Sequence, residues 1–203
     1  MLSPLIEFLL ENRKSHKGKS LAKILKGSDK RLERTSKDIM PWLFPVDVAT
    51  DDNKVAPFLT FDDICIIRDN AKVQSSIKMA MIRIMWYLDA NKRWVTPKSP
   101  MFITIARILR CLWLVGLKHD YVMFQRVLDD VYVQFPHCIG EETYFYWKMM
   151  NQTIFFRKYP LTIPYDVMAE ITNNAYKNEP KETKTIGDTS EEIMAALCGY
   201  GYV

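Results

Sequence analysis

The residues able to do chemistry in this chain are few and scattered. His137 adjoins Cys138, and with the distant His119 and Cys198 the pair could be imagined as a zinc set. Adjacent side chains rarely point at one metal, however, and the usual ligand spacing is missing. A nucleophilic cysteine needs a base to hold its thiolate, and only folding could bring His119 or His137 to Cys65 or Cys111. Adjacent acids stand at Asp62-Asp63, Asp129-Asp130, Glu141-Glu142 and Glu191-Glu192. Three of these four pairs fall in expected first helical turns, where carboxylates favour the helix dipole and its free amides. Acid-base catalysis wants two carboxylates on one cleft, which neighbours on a helix do not provide. There is no G-x-x-x-x-G-K and, with seven glycines in all, no phosphate-cradling loop. The expectation is a binding or scaffold protein with no metal and no cofactor, and an enzyme using an unrecognised site is the third reading.

Charge marks one candidate surface. Between Arg13 and Lys37 there are ten Lys or Arg against Asp29 and Glu33, a net +8, so the rest of the chain sums to -4 of its overall +4. Such a stretch attracts phosphate or an anionic lipid surface by Coulomb steering and counterion release, or is simply a solvated polar face. Lys23, Lys26, Lys30, Arg31, Arg34 and Lys37 are its candidate contacts. Arg107 and Arg110, one turn apart, could meet an anionic ligand or pair with Asp129, Asp130 or Glu141. Tyr144, Phe145, Tyr146, Trp147, Phe155 and Phe156 offer a second candidate, an aromatic surface for a peptide or for stacked bases, or else core packing. A protein or peptide partner on that aromatic groove is the first functional expectation, and nucleic acid or an anionic surface on the basic stretch is the alternative.

The elements that must position these residues all read as helices. Ser3 with Pro4 starts one through about Glu11, Ser20 caps 21–26 with Gly27 as its stop, and Ser28 caps another that Pro41 ends near Met40. From 42 to 59 the segment reads as an irregular loop pinned in the core by Trp42, Leu43 and Phe44, with Pro45 and Pro57 stiffening it. Thr60 with Asp63 forms an acidic capping box, and the apolar spacing extends helix to about Ala90 with a break near Asn70. After a loop holding Trp94 and Pro97, Ser99 and Pro100 begin the central helix, 99–115, which stops at Gly116. Further helices run from about 119 to 135, from 141 to about 157 and from 164 to 177. The region 178–189 reads as polar linker and 190–198 as a short terminal helix. The fold class is all-α: one compact domain over 1–177, followed by the tail 178–203.

Size and composition agree with that reading. At 203 residues and 48% hydrophobic composition, one domain buries roughly 70% of its unfolded surface and needs no disulfides. The four cysteines are far apart and form no C-x-x-C, which fits free thiols in a reducing compartment and an intracellular, soluble protein. The apolar start contains Glu7 and has its basic residues after it, unlike a secretory signal. The most apolar window, 101–117, is interrupted by Arg107 and Arg110, each costing about 2.5 to 3.5 kcal/mol at a bilayer centre, so a transmembrane segment is not expected.

Several motifs occur in an order that resembles the conserved domain of the opioid growth factor receptor family. They are Leu32-Glu33, Trp42-Leu43-Phe44-Pro45, Ala56-Pro57 with Leu59-Thr60, Trp94, the helix to Leu117 with Arg107 and Gly116, and Ile139 to Thr143 with Tyr146-Trp147. The last of these is similar to bacterial members, and the likeness spans roughly 21–150. It implies a helical fold, and for animal members it carries peptide-receptor and membrane-associated labels. The family pattern has a histidine and a glutamine where this chain has Lys37 and Pro41. It also has an asparagine-histidine-asparagine run, then an arginine, where this chain has Ser99, Pro100, Met101 and Thr104. If those polar residues form a site in relatives, this chain keeps the scaffold and not the site. Trp42, Phe44, Pro45, Pro57, Trp94, Gly116 and Trp147 stand as structural motif residues.

Overall fold

The computed structural model describes residues 2–47 and 58–151, with the backbone alone at 31 and 33–37. The expectations for Pro57, Phe155, Phe156, Cys198, the helices 164–177 and 190–198 and the linker 178–189 lie outside the described residues. Among those described there are nine α-helices and no strand: α1 Pro4–Leu9, α2 Leu21–Leu25, α3 Asp29–Leu43, α4 Phe61–Asp69, α5 Ala71–Ala90, α6 Met101–Leu114, α7 Lys118–Gln134, α8 Pro136–Ile139 and α9 Glu141–Lys148. The architecture is all-α, as the spacing of apolar residues requires.

Local chemistry sets most of the boundaries. Ser3 Oγ accepts from the Ile6 amide at 3.3 Å and Ser20 Oγ from the Lys23 amide at 3.4 Å, answering donors that a helix start leaves open. Ser28 precedes α3 with extended backbone and makes no side-chain cap bond. Thr60 and Asp63 form the reciprocal box at 3.1 Å each way. The break falls at Asn70, whose Oδ1 accepts from the Lys72 and Val73 amides and so starts α5 afresh. Ser99 Oγ accepts from the Met101 amide at 3.3 Å, Pro100 is the boundary residue, and α6 begins one residue later than its sequence suggests.

One boundary overturns the sequence reading. Pro41 does not end α3; the helix continues through Trp42 to Leu43, so those two residues are helical and not loop. A proline inside a helix loses one hydrogen bond and crowds the preceding turn. Here Trp42, Leu43 and Phe44 are buried, and the Phe44 amide still reaches the Met40 carbonyl at 2.8 Å. Tertiary burial of three large side chains outweighs the local penalty.

The middle of the core is α6, with Ile105, Ala106, Ile108, Leu109, Cys111 and Leu112 fully enclosed. It packs on α7, α9 and the 3-10 turn Met149–Asn151, to which α9 gives way after Lys148, while 152–157 of the expected helix lie outside the described residues. Phe102 stands edge-on between Trp94 and Trp147, with centroids 6.4 and 5.6 Å away. Both indoles are satisfied: Trp94 Nε1 donates to the Leu88 carbonyl at 2.8 Å and Trp147 Nε1 to the Phe102 carbonyl at 3.1 Å. Gly116, at φ +81°, turns the chain from α6 into α7, a conformation that glycine adopts without strain.

Candidate binding surface

The two arginines of α6 are interior residues. Arg107 and Arg110 are only 2% and 1% exposed, which corrects the picture of a pair open to an outside anion. Arg110 has a partner that the sequence did not suggest. It reaches Asp47 through two nitrogens, Nε to Oδ1 at 3.2 Å and Nη2 to Oδ2 at 2.8 Å, and its Nη1 donates to the Met150 carbonyl at 3.4 Å. A side-on guanidinium and carboxylate pair is among the stronger polar contacts a protein makes. It ties α6 to the chain just after α3. Asp129, one of the acids expected to meet the arginines, instead accepts from the Tyr144 hydroxyl at 3.0 Å and pairs with Lys148.

Burial also decides the thiol chemistry of α6. Cys111 is fully enclosed, and desolvation pushes its pKa far up, with the charge of Arg107 pulling the other way by less. A thiol held protonated is a poor nucleophile. Tyr146 is held protonated by burial in the same way, against the opposing charges of Arg107 and Arg110. Cys65 is exposed on α4 and Cys138 is half-buried on α8. Among the described residues no group of three or more His, Cys, Asp and Glu could hold a metal ion.

Of the expected aromatic groove, Trp147 is core while Tyr144, Phe145 and Tyr146 are half-buried. Trp147 is fully buried, and Tyr144 lies flat on Tyr132 with centroids 3.9 Å apart. Lys148 stands over the Tyr144 ring at 5.2 Å. A separate cleft of about 110 Å³ opens between α5 and α7, lined by Met85, Leu88, Trp94 and Val131 together with Asp89 and Asp130. It is well below the size of a pocket for a drug-sized ligand and matches one apolar side chain.

The basic stretch is where charge is left over. Lys23, Lys26 and Lys30 are exposed, because Leu21 and Ile24 take the inward face of α2. The described acids nearby are engaged: Asp29 pairs with Arg83 and Asp38 with Lys17. Arg13 is taken by Glu7. Lys23, Lys26 and Lys30 have no ion-pair partner among the described residues. Arg31, Arg34 and Lys37 lie on α3, described by their backbone alone.

A residue that the sequence reading passed over completes this surface. Arg83 of α5 donates to the Gly27 carbonyl at 2.9 Å and pairs with Asp29, clamping the α2–α3 junction between Lys26 and Lys30. One turn to either side of it on α5 stand Met79 and Trp86, 37% and 44% exposed. The signal was present in the sequence, since Trp86 falls off the apolar stripe Ile77, Met81, Ile84, Met85, Leu88 that faces the core. Searches for this chain's relatives found no matching family model, no matching curated protein and no matching solved structure.

Proposed function

We propose that this protein is a binding module and that its partner is polyanionic, held by the edge that α2 and the start of α3 present through Lys23, Lys26 and Lys30. One observation carries this reading: three cations stand exposed on a single edge while the described acids close to them are already paired. Exposed lysines with no ion-pair partner among the described residues keep their attraction for phosphate or sulfate groups, and that attraction sums over contacts. The arginine clamp beneath them adds support, because it holds the junction in place before any ligand arrives.

A second reading, a protein or peptide partner, is favoured by the cleft between α5 and α7, which would accept one apolar anchor side chain between Asp89 and Asp130. Kinship with the opioid growth factor receptor domain belongs to the same proposal, supported by the order of its motifs, as does an intracellular placement, supported by the scattered cysteines. The test of the main reading is retention on immobilised heparin. The native chain is expected to elute well above the salt needed for a variant carrying Lys23→Glu, Lys26→Glu and Lys30→Glu. Equal elution of the two would remove the basic edge from consideration, and retention by neither would remove polyanions altogether.

A further inference from the structure

Beside the basic edge stands an apolar strip whose two ends, Met79 and Trp86, are exposed. Met79 and Trp86 lie seven residues apart on α5 and so share one face, with half-buried Ile82 between them. Arg83 lies on the same side of the helix and is drawn toward the Gly27 carbonyl and Asp29. The strip therefore runs alongside the junction that carries Lys26 and Lys30, with Lys23 one turn earlier on α2. Asp29 is paired with Arg83 and Asp89, one turn beyond Trp86, with Lys92, and Lys23, Lys26 and Lys30 have no ion-pair partner among the described residues.

Resting on the basic-edge reading, we propose that this face docks on an anionic lipid bilayer, the lysines lying against the headgroups and Trp86 with Met79 entering the interfacial layer. The argument is complementarity of two kinds at once. Charge alone or one apolar anchor alone gives weak, reversible membrane binding, and a combination of the two makes it stable. Tryptophan is suited to the water-lipid boundary, since its ring is apolar and its N–H stays in reach of polar groups. A nucleic acid would use the lysines equally well and would stack on Trp86, but it has no use for an exposed methionine one face-repeat from the ring. A bilayer uses all of them, and it accepts a strip on the outward face of one helix, where no walls enclose a partner's side chain.

The experiment is sedimentation of the full chain with vesicles of phosphatidylcholine alone, or of phosphatidylcholine with phosphatidylserine, alongside heparin retention. Binding is expected only when phosphatidylserine is present. It should fall about fivefold for each of Lys23, Lys26 and Lys30 changed to Gln and roughly tenfold for Trp86→Ser. Brominated acyl chains should quench part of the native tryptophan emission, and the quenched part should be missing in Trp86→Ser. Met79→Ser, on the same strip, gives a second reading should Trp86→Ser disturb folding, and should weaken vesicle binding without altering heparin retention. Heparin or nucleic-acid binding without vesicle binding overturns the bilayer proposal and leaves the basic edge intact. Vesicle binding that neither strip variant weakens overturns it in the same way. Binding to neither vesicles nor heparin overturns both readings.

Discussion

Arg83 donates to the carbonyl oxygen of Gly27 across 2.9 Å, joining the middle of α5 to the junction of α2 and α3, 56 positions earlier. Without it, α2 and the start of α3 would be held chiefly by Leu21, Ile24 and Leu32. A charged donor on a part-buried carbonyl contributes about 1.5 to 3 kcal/mol. Arg83→Ala should therefore lower unfolding free energy by about 2 kcal/mol. Amide exchange should rise first at residues 24–30, and a uniform rise across the chain would show that the clamp acts globally.

Trp42 sits where the helix runs past its proline. It meets Phe8 edge-on at 5.3 Å and donates from Nε1 to His16 Nδ1 at 3.0 Å. Removing so large a buried ring leaves a cavity as well as losing transfer free energy, so Trp42→Ala should cost about 3 to 5 kcal/mol. Trp42→Phe should recover much of the packing while losing the indole donor. Urea denaturation of the two variants separates these contributions; equal losses would place the weight on the hydrogen bond.

Asp47 is the carboxylate of a nearly enclosed guanidinium, and it is itself 31% exposed at the side chain. Deleting one partner of a buried pair strands the other, at about 3 to 5 kcal/mol. Solvent access at Asp47 places Asp47→Ala at the lower end, about 3 kcal/mol. Arg110→Met with Asp47→Ala should be less damaging than the sum of the two single changes. Additive losses in a double-mutant cycle would mean that the pair does not act as a unit.

Tyr121 is held up to about 12 by burial, with the nearby charge of Asp129 adding to the effect. The unfolded chain would release that proton near pH 10, so between the two values the unfolded state binds fewer protons than the folded one. Stability should thus be unaffected by this group below about pH 10 and fall as pH rises toward 12. Tyr121→Phe should flatten the decline in that window. Chemical denaturation across alkaline pH checks it, and an unchanged slope would assign the decline to other groups such as Tyr146.

Much of the fold was legible because its boundaries are local chemistry. Asn70 and the Thr60-Asp63 box show themselves in the sequence through side chains that cap their own neighbours, and the structure uses them so. Pro41 misled for the opposite reason: its penalty is local, whereas the burial of Trp42, Leu43 and Phe44 that overrides it depends on α1 and the rest of the core. The Arg110 partner was beyond reach because Asp47 lies 63 positions away in sequence and outside any helix. The lysines of the basic edge could be named from charge alone. The clamp by Arg83 and the outward Trp86 required knowing which faces of α5 pack.

The most direct measurement is fluorescence anisotropy of a labelled duplex DNA, used as a defined polyanion, titrated with the full chain over a series of salt concentrations. The logarithm of the association constant should fall linearly with the logarithm of salt, at about -0.9 per phosphate neutralised. Changing Lys23, Lys26 and Lys30 to Glu should shallow that slope by about three such contacts while leaving the melting temperature nearly unchanged. An identical slope in the variant, or no binding by the native chain at low salt, would contradict a polyanion-binding edge.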